Sequence, residues 1–137
     1  TGCMNEPSIF TKIINGEVPS HKIYEDERTY AFLDIHPVQP GHTLVVPKKQ
    51  VNFMWDLDDE DYHAVMSTVK KVANRLKEMF PEQKRVGVQI EGFGVSDHAH
   101  VNVFPFSSTD TFRRHVDMNV EPDHDELAKV AERLRFS

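Results

Sequence analysis

The sequence predicts an α+β domain built on a five-stranded antiparallel sheet, and three observations carry that prediction. Several short segments read as strands, mostly joined by hairpins. One long segment, Asp58 to Phe80, repeats apolar residues at steps of three and four. Two shorter helical patterns lie near the ends of the chain. At 137 residues the chain is read as one domain, 1–137, large enough for a single core.

Residues 1–7 carry no periodic pattern and are expected to wander. Ser8 to Asn15 places Ile9, Phe10, Ile13 and Ile14 at helical spacing, and Gly16 can stop the helix. On pattern alone that stripe reads as core. Lys22 to Glu25 and Tyr30 to Asp34 are predicted strands around the charged turn Asp26-Glu27-Arg28. Pro37, Pro40 and Gly41 fix a turn-rich connection from Asp34 to His42, and Thr43 to Val46 resumes as a strand before Pro47.

In the long helix, Tyr62, Val65, Met66, Val69, Val72, Ala73, Leu76, Met79 and Phe80 form the apolar stripe. Asp58 can cap it, Asp59, Glu60 and Asp61 suit the dipole of the first turn, and Pro81 ends it. His63 falls outside the stripe, facing solvent. Arg85 to Glu91 alternates as a strand, and Gly92-Phe93-Gly94 turns the chain back into a second strand over 98–104, closed by Pro105. Residues 107–137 are read as a C-terminal extension, polar and irregular to 121. Its terminal helix, Asp125 to Phe136, carries Leu127, Val130, Ala131 and Leu134 on one face.

Composition narrows the function classes. A hydrophobic share of 39% with 28% charged residues is that of an ordinary globular protein. The net charge of −6 argues against a dedicated nucleic-acid binder, which carries a basic excess, but leaves room for a small nucleotide bound by local donors. The single cysteine, Cys3, cannot form an internal disulfide, so a reducing compartment is expected. No apolar run approaches the roughly 20 residues needed to span a bilayer, and no signal peptide opens the chain, so the expected location is cytoplasmic, away from membranes.

The chemistry concentrates in His98-Ala-His-Val-Asn-Val-Phe104. Read as a strand, it puts His98, His100, Asn102 and Phe104 on one face and Ala99, Val101 and Val103 on the other. Neighbours on one face sit roughly 6.6 Å apart, close enough for two imidazoles and an amide to converge on a phosphate. A neutral imidazole is a competent nucleophile at cellular pH, and attack on phosphorus would divide one hard step into two. Asn102 and the Ser96 hydroxyl are available to stabilise developing charge. Zinc chelation by His98 and His100 with His36 or His42 is an alternative, and a packed pair of histidines without function is another. Asp34 could accept two hydrogen bonds from a sugar diol or simply cap its loop. Lys48 and Lys49 could attract phosphate or lie solvated at the surface.

Taken together, these stretches resemble the histidine triad (HIT) family of nucleotide hydrolases and transferases. The resemblance runs from about Ser8 to Phe106 and rests on four segments: residues 9–19, 30–38, 40–48 and the histidine strand. By that resemblance His100 is the nucleophile that becomes nucleotidylated at the α-phosphate. His98 is the first histidine of the triad, His42 is a supporting histidine, and Asp34 holds the ribose hydroxyls. Ile9, Phe10, Ile13, Phe32, Ile35 and Leu44 then enclose the base and sugar, which revises the plain core reading of the first helix. The resemblance further implies a purine-nucleotide substrate, no cofactor and a homodimer joined through the long helix and the adjacent strand.

The chain departs from the family pattern in three places. Asn102 stands where the family has its third histidine; an amide can donate to phosphate but cannot exchange protons readily, and general acid–base help is worth roughly 10²–10⁴ in rate. Ser8 and Thr11 occupy the positions of a Cys-x-x-Cys pair that binds structural zinc in many members, so no metal is expected. The segment before the triad, Gly92 to His98, is shorter than the common version, with Ser96 as the candidate phosphate-side hydroxyl.

Overall fold

A computed structural model describes residues 6–114 and 117–136. The expectations for residues 1–5, including Cys3, lie outside the described residues. Glu6 is held by its carbonyl, which accepts from Gln50 Nε2 at 3.0 Å.

The first helix, α1 (Ile9–Ile14), starts at Ser8, whose side chain accepts from the Thr11 amide, and ends before Gly16 at φ +80°. Strands β1 (Lys22–Glu25) and β2 (Thr29–Leu33) flank a turn tied by Asp26 Oδ1, which accepts from the amides of Arg28 and Thr29. Strand β3 (Thr43–Pro47) follows the proline loop, and a 3₁₀ turn at Met54–Asp56, unforeseen in the sequence, leads to the long helix α2 (Asp59–Met79). Asp58 caps α2 by accepting from the Asp61 amide. Strands β4 (Arg85–Gln89) and β5 (Val101–Phe106), helix α3 (Thr109–Arg113) and helix α4 (His124–Leu134) complete the chain.

The five strands form one antiparallel sheet in the order β1-β2-β3-β5-β4, the predicted fold class. Its central strands bury both faces. Ala31, Leu33, Val45, Val101 and Val103 pack with Val65, Val69, Val72 and Leu76 of α2 and with Leu127, Val130 and Leu134 of α4. Tyr30, Phe32, Leu44 and Val46 point the other way, onto Phe10 and Ile13 of α1. The period-two alternation thus separates two apolar layers, and α1 sits on the face opposite the long helix. Among the described residues no helix is long and apolar enough to cross a membrane.

Three expectations are corrected. The strand begins at Val101, not His98, because the Ala99 amide leaves the sheet to donate to the Val51 carbonyl at 2.7 Å. Pro105 lies inside β5 instead of closing it: the β3 pairing stops at Val103, so the missing N–H falls where only β4 is a neighbour. The stretch after 107 holds α3, capped by Ser108 and seated through Phe112, whose ring lies 4.8 Å from Phe106 and 5.5 Å from Phe104.

Gly87 allows that seating. A Cβ there would stand 2.6 Å from a carbon of the Phe112 ring and 2.9 Å from one of Phe106. Gly87→Val is therefore expected to lift α3 and to destabilise the fold by about 1–3 kcal/mol, read from urea unfolding.

Candidate active site

A cavity of about 580 Å³ opens between α1 and the end of the β2–β3 layer. Ile9, Phe10 and Ile13 form one wall, Phe32, Leu44 and Ile35 another, and Asp34 lies at the rim. His100 and Asn102 close the inner end. The walls are apolar because α1 turns its stripe inward here; Ile9 and Ile35 keep 43% and 39% of their surface exposed, free to meet a ligand.

The tautomer of His100 follows from its partner. Its Nδ1 lies 3.0 Å from the His98 carbonyl, which can only accept, so Nδ1 carries the proton and Nε2 holds the lone pair. The Phe10 ring, 5.3 Å away edge-on, further restrains the imidazole, which is 7% exposed. A buried, oriented imidazole with an unprotonated Nε2 meets the requirements of a nucleophile.

His98 is placed differently from the expectation that it shares the phosphate-facing side. It is fully buried and does not line the cavity. Its Nε2 donates to the Pro47 carbonyl at 2.8 Å, so Nδ1 is the acceptor for the Ser8 hydroxyl at 2.7 Å. Ser8 also caps α1, and Thr11 Oγ1 and the Ser8 amide both donate to Gln50 Oε1 at 2.8 and 2.9 Å. This network ties α1 to the approach of β5 and so sets the distance between Phe10 and His100. Its donors are neutral hydroxyl and amide oxygens around an imidazole whose two nitrogens are engaged, which does not suit zinc. Nor do three or more His, Cys, Asp or Glu gather to hold a metal ion among the described residues.

Burial holds the His98 pKa below its ordinary 6.5, outweighing the Pro47 hydrogen bond. Burial lowers that of His21 as well, helped by His124, whose Nδ1 is 2.9 Å from its Nε2. Imidazoles held below their ordinary value bind protons more readily in the unfolded chain. The associated stability is thus complete above about pH 6.5 and lost as pH falls through the lower folded values. The urea midpoint is expected to drop as pH falls below about 6.5, and His98→Gln should flatten that profile.

His42 and Asn102 form a second unit, joined across 60 residues of sequence. The Val38 amide donates to His42 Nδ1 at 3.2 Å, so His42 Nε2 is the N–H and donates to Asn102 Oδ1 at 2.9 Å. That fixes the amide: Nδ2 turns toward the Gln89 carbonyl, 3.4 Å away, and one of its two protons remains for a ligand. His42 does not line the cavity itself but orients Asn102, which does. Asp34 Oδ1 accepts from the His36 amide at 2.8 Å, and Oδ2 stands 3.7 Å from His42 Nε2.

Ser96 is exposed and does not reach the cavity; its neighbour Val95 does. Phe93, 77% exposed on the Gly92–Gly94 loop, overhangs the opening together with Met118. Neither was singled out from sequence as a site residue; Phe93 stands between Gly92 and Gly94, both at positive φ, in the turn expected there.

Residues 15–109 match the HIT domain family model. The chain is 33% identical over 135 residues to adenosine 5'-monophosphoramidase HNT1 of Candida albicans, covering 93% of this chain and 88% of that protein. A HIT-like protein of Borreliella burgdorferi is 40% identical over 110 residues, 76% of this chain and 78% of that one. Among solved structures, a Hit-like protein of Bartonella henselae superposes with a TM-score of 0.81 at 31% identity, with 96% of each chain covered. The histidine triad nucleotide-binding protein of Candida albicans does so with a TM-score of 0.68 at 32% identity, covering 93% of this chain and 94% of that one.

Proposed function

The chain belongs to the histidine triad family, and from that premise we propose that it is a nucleotide hydrolase or nucleotidyl transferase acting at the α-phosphate of a purine nucleotide. The observation that carries the proposal is His100 itself: Nδ1 spent on the His98 carbonyl and an unprotonated Nε2 at the inner end of an apolar cavity. The base and sugar occupy the space between Ile9, Phe10, Ile13, Phe32, Ile35 and Leu44, with Asp34 accepting from the ribose hydroxyls. Nε2 attacks phosphorus, a P–N bond forms, and the bond to the leaving group breaks with its electron pair. Water, or another acceptor in a transfer, then attacks the same phosphorus and releases the imidazole. Asn102 donates its remaining amide proton to a phosphoryl oxygen as charge develops. His42 and His98 are positioning residues, His42 through Asn102 and His98 through α1 and its own carbonyl. No cofactor or metal enters these steps, and the cytoplasm is the proposed location.

The test is an acid-quenched incubation of metal-free protein with a fluorogenic adenosine phosphoramidate and, separately, diadenosine triphosphate. A nucleotidyl adduct mapped to His100, with release of adenosine monophosphate, is the expected result. Nucleotide binding with no adduct and no turnover from either compound would favour the second reading, a nucleotide-binding protein without catalysis. That reading is motivated by Asn102, which cannot supply a proton.

The chain is further proposed to form a homodimer. β4 is an edge strand whose Val88, with Ile90 just beyond it, remains 40% and 37% exposed, the kind of edge that a second copy covers. Light scattering at micromolar concentration should give twice the monomer mass, and Val88→Lys should shift it toward monomer.

A further inference from the structure

A second cavity, of about 380 Å³, lies on the far side of Asn102 from the His100 pocket and shares Asn102 and Glu91 with it. We infer that this second cavity is a subsite for an anionic, phosphate-bearing leaving group, with Arg113 and Arg114 as the residues that select it. The inference rests on the α-phosphate reading of the first cavity and narrows its substrate class.

Two independent observations converge on it. The first is charge and placement: the lining carries the guanidiniums of Arg113 and Arg114 against the single carboxylate of Glu91. Both arginines are exposed, on a backbone that is anchored. They end α3, which is held by the Phe112 ring against Phe104 and Phe106 and by Gln89 Nε2, which donates to the Phe112 carbonyl at 2.7 Å. Arg114 Nη1 also reaches the Val38 carbonyl at 3.5 Å. Guanidinium forks match phosphate oxygens in pairs.

The second observation is chemical. Position 102, where the two cavities meet, holds an amide whose oxygen is occupied by His42, so this residue cannot protonate a departing amine, and Glu91, the one carboxyl the two cavities share, is an anion when ionised. A phosphate or polyphosphate needs no proton to depart. When the P–O bond breaks, the electron pair stays on the bridging oxygen, and two nearby guanidiniums offset the charge. Asn102 and the arginines thus favour one class of substrate: a nucleotide whose α-phosphate is joined to further phosphate.

The test compares the affinities of adenosine monophosphate and α,β-methylene-ATP, which cannot be cleaved at the α-position, by calorimetry without divalent metal. The wild-type chain should bind the triphosphate analogue about tenfold tighter or more, with a steeper salt dependence. Arg113→Ala and Arg114→Ala should each reduce that ratio several-fold to about tenfold, and Arg113→Lys should recover part of it. Adenosine monophosphate binding reports in every variant that the fold and first cavity are intact. Equal affinity for both nucleotides in the wild type, or an unchanged ratio in the alanine variants, overturns the subsite while leaving the first cavity's role standing. If neither nucleotide binds the wild type, both assignments fall.

Discussion

His100→Ala is expected to reduce turnover at the α-phosphate by about three orders of magnitude or more, because it deletes the Nε2 on which the proposed covalent intermediate forms. Binding should respond far less. The apolar walls from α1, β2 and β3 and the carboxylate of Asp34 do not depend on the imidazole, so the dissociation constant for adenosine monophosphate should stay within a few-fold. The lost Nδ1 hydrogen bond to the His98 carbonyl costs about 1 kcal/mol of stability, small beside the kinetic effect. Single-turnover kinetics with diadenosine triphosphate separates the two quantities, and the adduct should vanish with the imidazole. A variant that keeps turnover within tenfold of wild type would mean that water attacks phosphorus directly, and the covalent route would have to be abandoned.

The fold and the site were legible to different depths. Helix α2 was plain because Val65, Val69, Val72 and Leu76 face one core, so its period is visible in one dimension. The alternation that marked the histidine strand was also real, but it continued past the point where the chain leaves the sheet. Side-chain period does not report that the Ala99 amide pairs with Val51 instead of a neighbouring strand, nor that His98 consequently turns inward to Pro47 and Ser8. Helix α3 has only Phe112 as an apolar anchor, too few points for a period; its one local sign was Ser108, whose hydroxyl accepts from the Thr111 amide. Arg113 and Arg114 escaped notice for a further reason. Their setting is assembled from Val38, Gln89 and Asn102, three segments far apart in sequence, and no short motif encodes it. The proposed roles of His42 and Asp34 rest on resemblance, not on spacing, and the structure adds the His42 tautomer, which makes its bond to Asn102 directional.

Asn102→His should change which leaving groups the site tolerates, and by a large factor. In the present arrangement Asn102 Oδ1 accepts from His42 Nε2. An imidazole at 102 would have to accept that same bond through one ring nitrogen, leaving the other as an N–H directed toward the reacting group. That exchanges a fixed amide dipole for an acid that can give up its proton. For a phosphoramidate with an alkylamine leaving group, which departs only when protonated, the gain should be about 10²-fold, the lower end of general acid catalysis, because the surrounding shell was not built for it. For diadenosine triphosphate, whose polyphosphate departs as an anion, the gain should be under about tenfold, since little proton transfer is needed in that transition state. The variant's pH profile should also acquire an acidic group required in its protonated form, so that turnover of the amine falls as pH rises past the new imidazole's pKa, while the wild-type limb stays flat there. A plot of rate against leaving-group basicity reads both effects at once: steep for the amide, shallow for the imidazole. Equal gains on the two substrates would point to better phosphate binding instead of proton donation, and the account of position 102 as the switch between amine and phosphate leaving groups would not survive it.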